Sequence, residues 1–113
     1  AHIELPRAVV DIAAKVFYNC TSLSEVKLSK FTATIGVQAF YGCTNLKDLR
    51  LPPSVEKIDL GAFENTGLTE LHCKAIAPPE VNRSFGYKGK VVVPYRSLEL
   101  YRQAEVWKDC ILE

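Results

Sequence analysis

Hydrophobic positions in this chain recur at one long, fixed step. Ile12, Ile35 and Ile58 lie 23 residues apart, and Phe17, Phe40 and Phe63 keep the same step. So do Leu5, Leu28 and Leu51, and so do Cys20 and Cys43, with the polar Thr66 standing third in that column. Coincidence in several columns at once marks an internal repeat in which each copy is one supersecondary unit. After Thr66 the third copy is one residue short: Thr44-Asn45-Leu46 is matched only by Gly67-Leu68, and the columns resume at Leu71 and Cys73.

Each copy has two halves of different character. The tail carries Leu23, Val26, Leu28, then Leu46, Leu49, Leu51, then Leu68, Leu71, Cys73, and its closing alternation predicts a short strand with one face in the core. The front half, Ile12-Ala13-Ala14-Lys15-Val16-Phe17 and Ile35-Gly36-Val37-Gln38-Ala39-Phe40, has small residues and one aromatic per turn, with Asn19 or Gly42 just beyond as a stop. That pattern predicts one or two helical turns. Strand, return, short helix and return in 23 residues make one coil of a solenoid, and stacked coils pair their strands in parallel about 4.8 Å apart. The predicted fold is therefore an α/β, right-handed solenoid of about three 23-residue coils, with parallel strands and short helices. Residues 1–11 read as the end of a preceding coil, 12–74 as the three coils and 75–113 as a C-terminal strand-helix cap, all in one domain.

The cap follows from an exposed end. The last coil would leave Phe63, Leu68 and Leu71 uncovered, and an open sheet end invites pairing with another chain. Val91-Val92-Val93, bounded by Gly89 and Pro94, suits one more strand. Ser97 suits the N-cap of a helix with Leu98, Tyr101 and Ala104 on one face, followed by Trp107. These aromatics read either as core packing of a terminal cap or as a ligand-binding aromatic box.

The segments Val16-Phe17-Tyr18-Asn19-Cys20 through Leu23 and Ala39-Phe40-Tyr41-Gly42-Cys43 through Leu46, with the connector Leu51-Pro52-Pro53-Ser54-Val55 and Ile58, resemble the BspA-like leucine-rich repeats. The third copy, Ala62-Phe63-Glu64-Asn65-Thr66-Gly67-Leu68, departs at Thr66 and by its deletion. The tail resembles that family's C-terminal module at Cys73-Lys74-Ala75, Pro78-Pro79, Val91-Val92-Val93-Pro94, Ser97, Tyr101 and Trp107. Ile3-Glu4-Leu5-Pro6 match the strand end of a preceding coil, which predicts that the array begins further upstream. The resemblance implies a leucine-rich-repeat solenoid from a bacterial surface or secreted protein, of a family mostly implicated in adhesion to host proteins.

Composition narrows the chemistry. Fourteen Lys and Arg against thirteen Asp and Glu give a net charge of +1, with the charges interspersed, so nothing points to nucleic acid or an anionic membrane as partner. No apolar run approaches the ~20 residues needed to span a bilayer, and no cleavable leader opens the chain. His2 and His72 share no metal-ligand spacing, the four cysteines contain no CxxC, and no nucleophile elbow, P-loop or GxGxxG occurs. No enzyme, metal or cofactor is predicted. Cys20 and Cys43 share a column, so a disulfide is within reach, but buried free thiols are the expectation. Whether Cys73 and Cys110 meet stays open. Asn19-Cys20-Thr21 and Asn82-Arg83-Ser84 match the N-glycosylation sequon, which matters only in a eukaryotic secretory pathway.

Strand alternation singles out one surface. With Ile3/Leu5, Val26/Leu28, Leu49/Leu51 and Leu71/Cys73 inward, the residues between them face out. Glu25, Asp48 and Glu70 then form an acidic column under His2. Glu4, Lys27, Arg50 and His72 form the next column, and Pro6, Ser29, Pro52 and Lys74 the third. Like charges at strand spacing repel by roughly 1 kcal/mol per pair in water-like surroundings, and opposite charges two residues along return a similar amount. Two readings fit this face. One is a solvated sheet whose charges deter aggregation; the other is a recognition surface using Glu25, Lys27, Asp48, Arg50, Glu70, His72 and Lys74 toward a protein partner, host extracellular protein included. The predicted function is accordingly a non-enzymatic recognition or adhesion module, or alternatively a spacer or terminal cap that binds nothing itself.

Overall fold

The computed structural model describes residues 2–87 and 89–113, with the side chain of His2, predicted to head the acidic column, outside the described residues. Parallel strands dominate. β1 (His2–Glu4) pairs with β3 (Glu25–Lys27), placing His2 opposite Glu25 and Glu4 opposite Lys27. A second, four-stranded sheet joins β2 (Asp11–Ile12), β4 (Thr34–Ile35), β6 (Lys57–Ile58) and β8 (Glu80–Val81), and every pairing in it keeps the step of the repeat. The third runs β5 (Asp48–Leu51), β7 (Glu70–Cys73), β9 (Lys90–Val92) and β10 (Ile111–Leu112). Here Asp48 stands opposite Glu70, so the missing residue of the third copy is absorbed before the strand begins.

Gly67 absorbs it. Its amide donates to the Cys43 carbonyl at 3.2 Å, and a Cβ at this position would fall 2.1 Å from the Thr44 carbonyl oxygen, so only glycine allows the shortened turn to lie against its neighbour. Thr66, which replaces the column cysteine, donates its hydroxyl to the Phe63 carbonyl at 3.0 Å and so closes the same turn.

The short helices expected in the front halves are not formed; residues 14–19 and 37–42 are successive tight turns. The reason lies in where the amides go. Val16, Tyr18 and Cys20 donate to carbonyls three residues back, whereas Lys15, Phe17 and Asn19 donate to Val37, Ala39 and Tyr41 of the next copy. A helix would consume every amide within its own segment; here every second one ties adjacent copies together. The backbone pays for this by positive φ at matched places: Lys15, Gln38 and Gly61 in one column, Asn19, Gly42 and Asn65 in the other. Each of Lys15, Asn19, Gln38, Gly42 and Gly61 is the third residue of a turn closed by an i to i+3 hydrogen bond, the position that a type II turn sets at positive φ. Asn19 and Gly42 thus act as turn residues and not as helix stops.

Between the sheets runs an aromatic stack. The Phe17 and Phe40 rings lie 5.3 Å apart and nearly parallel, and Phe40 and Phe63 lie 5.8 Å apart in the same manner. Phe63 then meets Phe85 edge-on, Phe85 meets Trp107, and Trp107 meets Tyr101. Phe40 and Phe63 are fully buried, while Phe17, covered on one side, is only partly so. Polar side chains repeat the theme at the edges: Ser29 donates to the Arg7 carbonyl, Ser54 to that of Thr32 and Asn45 to that of Thr21, each crossing between copies.

The C-terminal segment adds a strand and a short helix to the core. β9 carries Val91 into the core opposite Leu71, and the helix α1 (Leu98–Gln103) lays Tyr101 and Leu98 inward. The Tyr101 hydroxyl donates to the Ala75 carbonyl and contacts the Cys73 sulfur, and the Trp107 indole donates to the Pro79 carbonyl. Burial raises the Tyr101 hydroxyl far above the usual phenol range. Both aromatics are therefore satisfied core residues. Ser97 occupies the N-cap position, but its side chain makes no capping bond, because a 3-10 turn over Tyr95–Ser97 runs into the helix and leaves the hydroxyl buried without a partner. The helix is six residues long, and no helix among the described residues is long and apolar enough to cross a membrane.

Candidate functional site

Alternation along the strands sets the outer surface. In β3 and β5 the side chains of Glu25, Lys27, Asp48 and Arg50 are exposed while Val26, Leu49 and Leu51 are buried; in β7 Glu70 and His72 are half-buried over Leu71 and Cys73. Within each sheet the column neighbours are in register, Glu4 beside Lys27, Asp48 beside Glu70 and Arg50 beside His72, while no pairing joins Glu25 to Asp48 or Lys27 to Arg50. Each is extended by one residue that the repeat did not reveal: Lys90 follows Glu70, and Val92 follows His72.

This extension divides the seven predicted binding residues into two groups. Glu70 and His72 are engaged with each other, and Lys90 Nζ lies 3.4 Å from Glu70 and 3.4 Å from Glu113. The hydrogen bond from Lys90, helped by the nearby His72, holds the Glu70 carboxyl below the usual range, and Glu70 with Glu113 raises the Lys90 ammonium in turn. Charge at this end of the face is internally compensated.

The other five, Glu25, Lys27, Asp48, Arg50 and Lys74, line one groove of about 440 Å³. It lies where β3 and β5 run side by side without belonging to a common sheet: among the described residues β3 pairs with β1 and β5 with β7. Val26, Leu28, Leu49 and Leu51 contribute an apolar floor, and Pro52 and Pro53 wall one end. Among the described residues Asp48, Arg50 and Lys74 have no salt-bridge partner, whereas Lys27 approaches Glu4 at 3.8 Å and Lys30 lies over the Phe31 ring.

Among the described residues no group of three or more His, Cys, Asp or Glu side chains is placed to hold a metal ion. No disulfide joins Cys20, Cys43, Cys73 or Cys110 among the described residues. Cys43 is buried, donates to the Phe17 carbonyl at 3.1 Å and is pushed up to about 11, chiefly by desolvation. Cys20, expected to be equally buried, is only half-buried, because it stands at the first turn of the stack and is covered from one side. Cys73 contacts Tyr101 and Cys110 donates to the Tyr87 carbonyl at 3.7 Å, so the two occupy separate niches.

Comparison with known proteins agrees with this architecture. The model of the BspA-type leucine-rich repeat region, built of six copies, matches residues 1–81. Three solved chains match, among them a leucine-rich repeat protein from Bacteroides ovatus ATCC 8483, with a TM-score of 0.65 and 30% identity. The alignment covers 92% of this chain and 28% of that one, so the chain spans little more than a quarter of its solved relative. No curated protein matches. Leucine-rich repeats generally mediate protein interactions and are typically non-enzymatic. With the repeat model spanning most of its length and the parallel strands in the matching register, the chain belongs to the BspA-type leucine-rich-repeat family.

Proposed function

We propose that the chain is a non-enzymatic protein-recognition module of a bacterial surface or secreted protein, built as a right-handed solenoid of about three coils, and that it engages its partner through the outward strand face. The observation that carries this reading is the pair of exposed, uncompensated side chains Asp48 and Arg50 beside an apolar-floored groove, held on hydrogen-bonded strands. Rigid strands fix these groups before binding, so little ordering free energy is lost on association. The rows of opposite charge discriminate between partners by complementarity more than by net attraction, in keeping with a chain whose net charge is only +1. Adhesion to host extracellular protein is the role in keeping with the family, whose members are commonly surface or secreted proteins.

The test starts from a partner captured from host extracellular material and compares two charge reversals against it, each first checked for an unchanged melting profile. Arg50→Glu should weaken binding at least tenfold, whereas Arg102→Glu, on α1 and paired with Glu99, should leave it unchanged. Equal affinities would move the binding site off the strand face.

A further inference from the structure

We propose that the groove between β3 and β5 receives an extended, predominantly acidic peptide segment of the partner; this rests on the strand face being the recognition surface. Four of the charged side chains around the groove are cationic, Lys27, Lys30, Arg50 and Lys74, against the two acids Glu25 and Asp48. Among the described residues Arg50 and Lys74 form no ion pair, unlike the Glu70–His72–Lys90 cluster one strand away. Positive charge therefore collects at the Pro52–Pro53 end of the groove and negative charge at the other.

Spacing selects the shape of the ligand. Asp48 and Arg50 are two residues apart on β5, hence about 6.8 Å apart along the strand, and the Lys74 amide bonded to the Leu51 carbonyl sets Lys74 beside Pro52, one step further. An extended chain presents side chains on one face at that same interval. A segment laid along β5 thus meets acid, base, base, and its complement is basic, acidic, acidic at every second residue. A uniformly anionic polymer fits less well, because Asp48 and Glu25 would repel one end of it.

The probe is a fluorescein-labelled acetyl-Lys-Ser-Glu-Ser-Glu-amide, titrated by fluorescence anisotropy against the 113-residue protein, beside its charge-reversed counterpart Glu-Ser-Lys-Ser-Lys and a heparin hexasaccharide. The first peptide should bind, the reversed one should not. Arg50→Glu and Lys74→Glu should each weaken it at least tenfold, Arg102→Glu should have no effect, and the double reversal at Arg50 and Lys74 should bind the reversed peptide in preference. Absence of binding at millimolar protein, equal affinity for both peptides, or tighter binding of the hexasaccharide would each overturn the proposal. If the peptide fails while a captured partner still responds to Arg50→Glu, the strand face keeps its role and the acidic-peptide assignment alone is lost.

Discussion

Lys90 stands directly after Glu70 in the strand column, and its ammonium lies 3.4 Å from the Glu70 carboxylate. The acidic column of Glu25, Asp48 and Glu70 thereby ends on a cation. Because the folded protein holds Glu70 below its ordinary value, the pair's contribution is present above the unfolded glutamate pKa and is lost as pH falls through the folded one. Lys90, raised in the folded state, keeps its contribution below the ordinary lysine value and loses it as pH rises through its own. An NMR titration of the Glu70 side chain should find its midpoint below the normal glutamate range, and Lys90→Ala should move it up. A midpoint unchanged by Lys90→Ala would show that the ion pair is not what lowers it.

The aromatic stack predicts a graded stability series. Phe40 is buried between two rings, so Phe40→Ala should cost about 3–5 kcal/mol, a large part of the ~5–15 kcal/mol typical of such a domain. Phe17→Ala removes a ring covered on one side and should cost clearly less. Chemical denaturation of the two variants checks the order; equal losses would mean that the stack does not run through Phe40 as described.

Thiol chemistry should follow position in the stack. At pH 8 a thiol pushed up to about 11 is only about a thousandth ionised, and Cys43 is also shielded. Desolvation likewise raises Cys73. Native-state labelling followed by peptide mapping should modify Cys20 first, with Cys43 and Cys73 reacting only once denaturant opens the stack. Early modification of Cys43 would contradict its burial.

Ser97 offers a test at the start of α1. A serine that caps its helix costs about 1 kcal/mol when replaced by alanine, but here the hydroxyl is buried without a partner. Ser97→Ala should therefore be neutral or stabilise by up to about 1 kcal/mol, since a desolvated, unsatisfied group is removed. A loss of thermal stability would reveal a hydrogen bond of the native state that the structure lacks.

Much of this was legible because residues one repeat apart occupy the same place in successive copies. Ile12, Ile35 and Ile58 pair in one sheet, the three phenylalanines stack, and Asp48/Glu70 and Arg50/His72 stand in register. The same step could have been followed further, since Val81 lies one full step after Ile58 and pairs with it; Phe85, one residue short of a step after Phe63, carries on the stack. The front halves misled because small residues with an aromatic every turn satisfy helical spacing, while the deciding fact, that alternate amides serve the next copy, is a relation between copies. Asn19, Gly42 and Asn65 carried a signal, all being residue types that tolerate positive φ. Lys15 and Gln38 carried none. Lys90 was hidden because it follows its column neighbour Glu70 by 20 residues, short of the repeat's step. The groove was hidden for a different reason: equal spacing implies one continuous sheet, and the seam between β3 and β5 is a break in pairing that identical repeats do not announce.

The claim that the strand face is the recognition surface is tested most directly by mapping amide chemical-shift changes when a captured partner is titrated into isotope-labelled protein. A binding site on the strand face predicts the largest changes at residues 25–30 and 48–53, with Lys74, and little change along α1. Changes concentrated on α1 or on the Tyr18–Tyr41 turn face, with the amides of Lys27 and Arg50 unmoved, would contradict it.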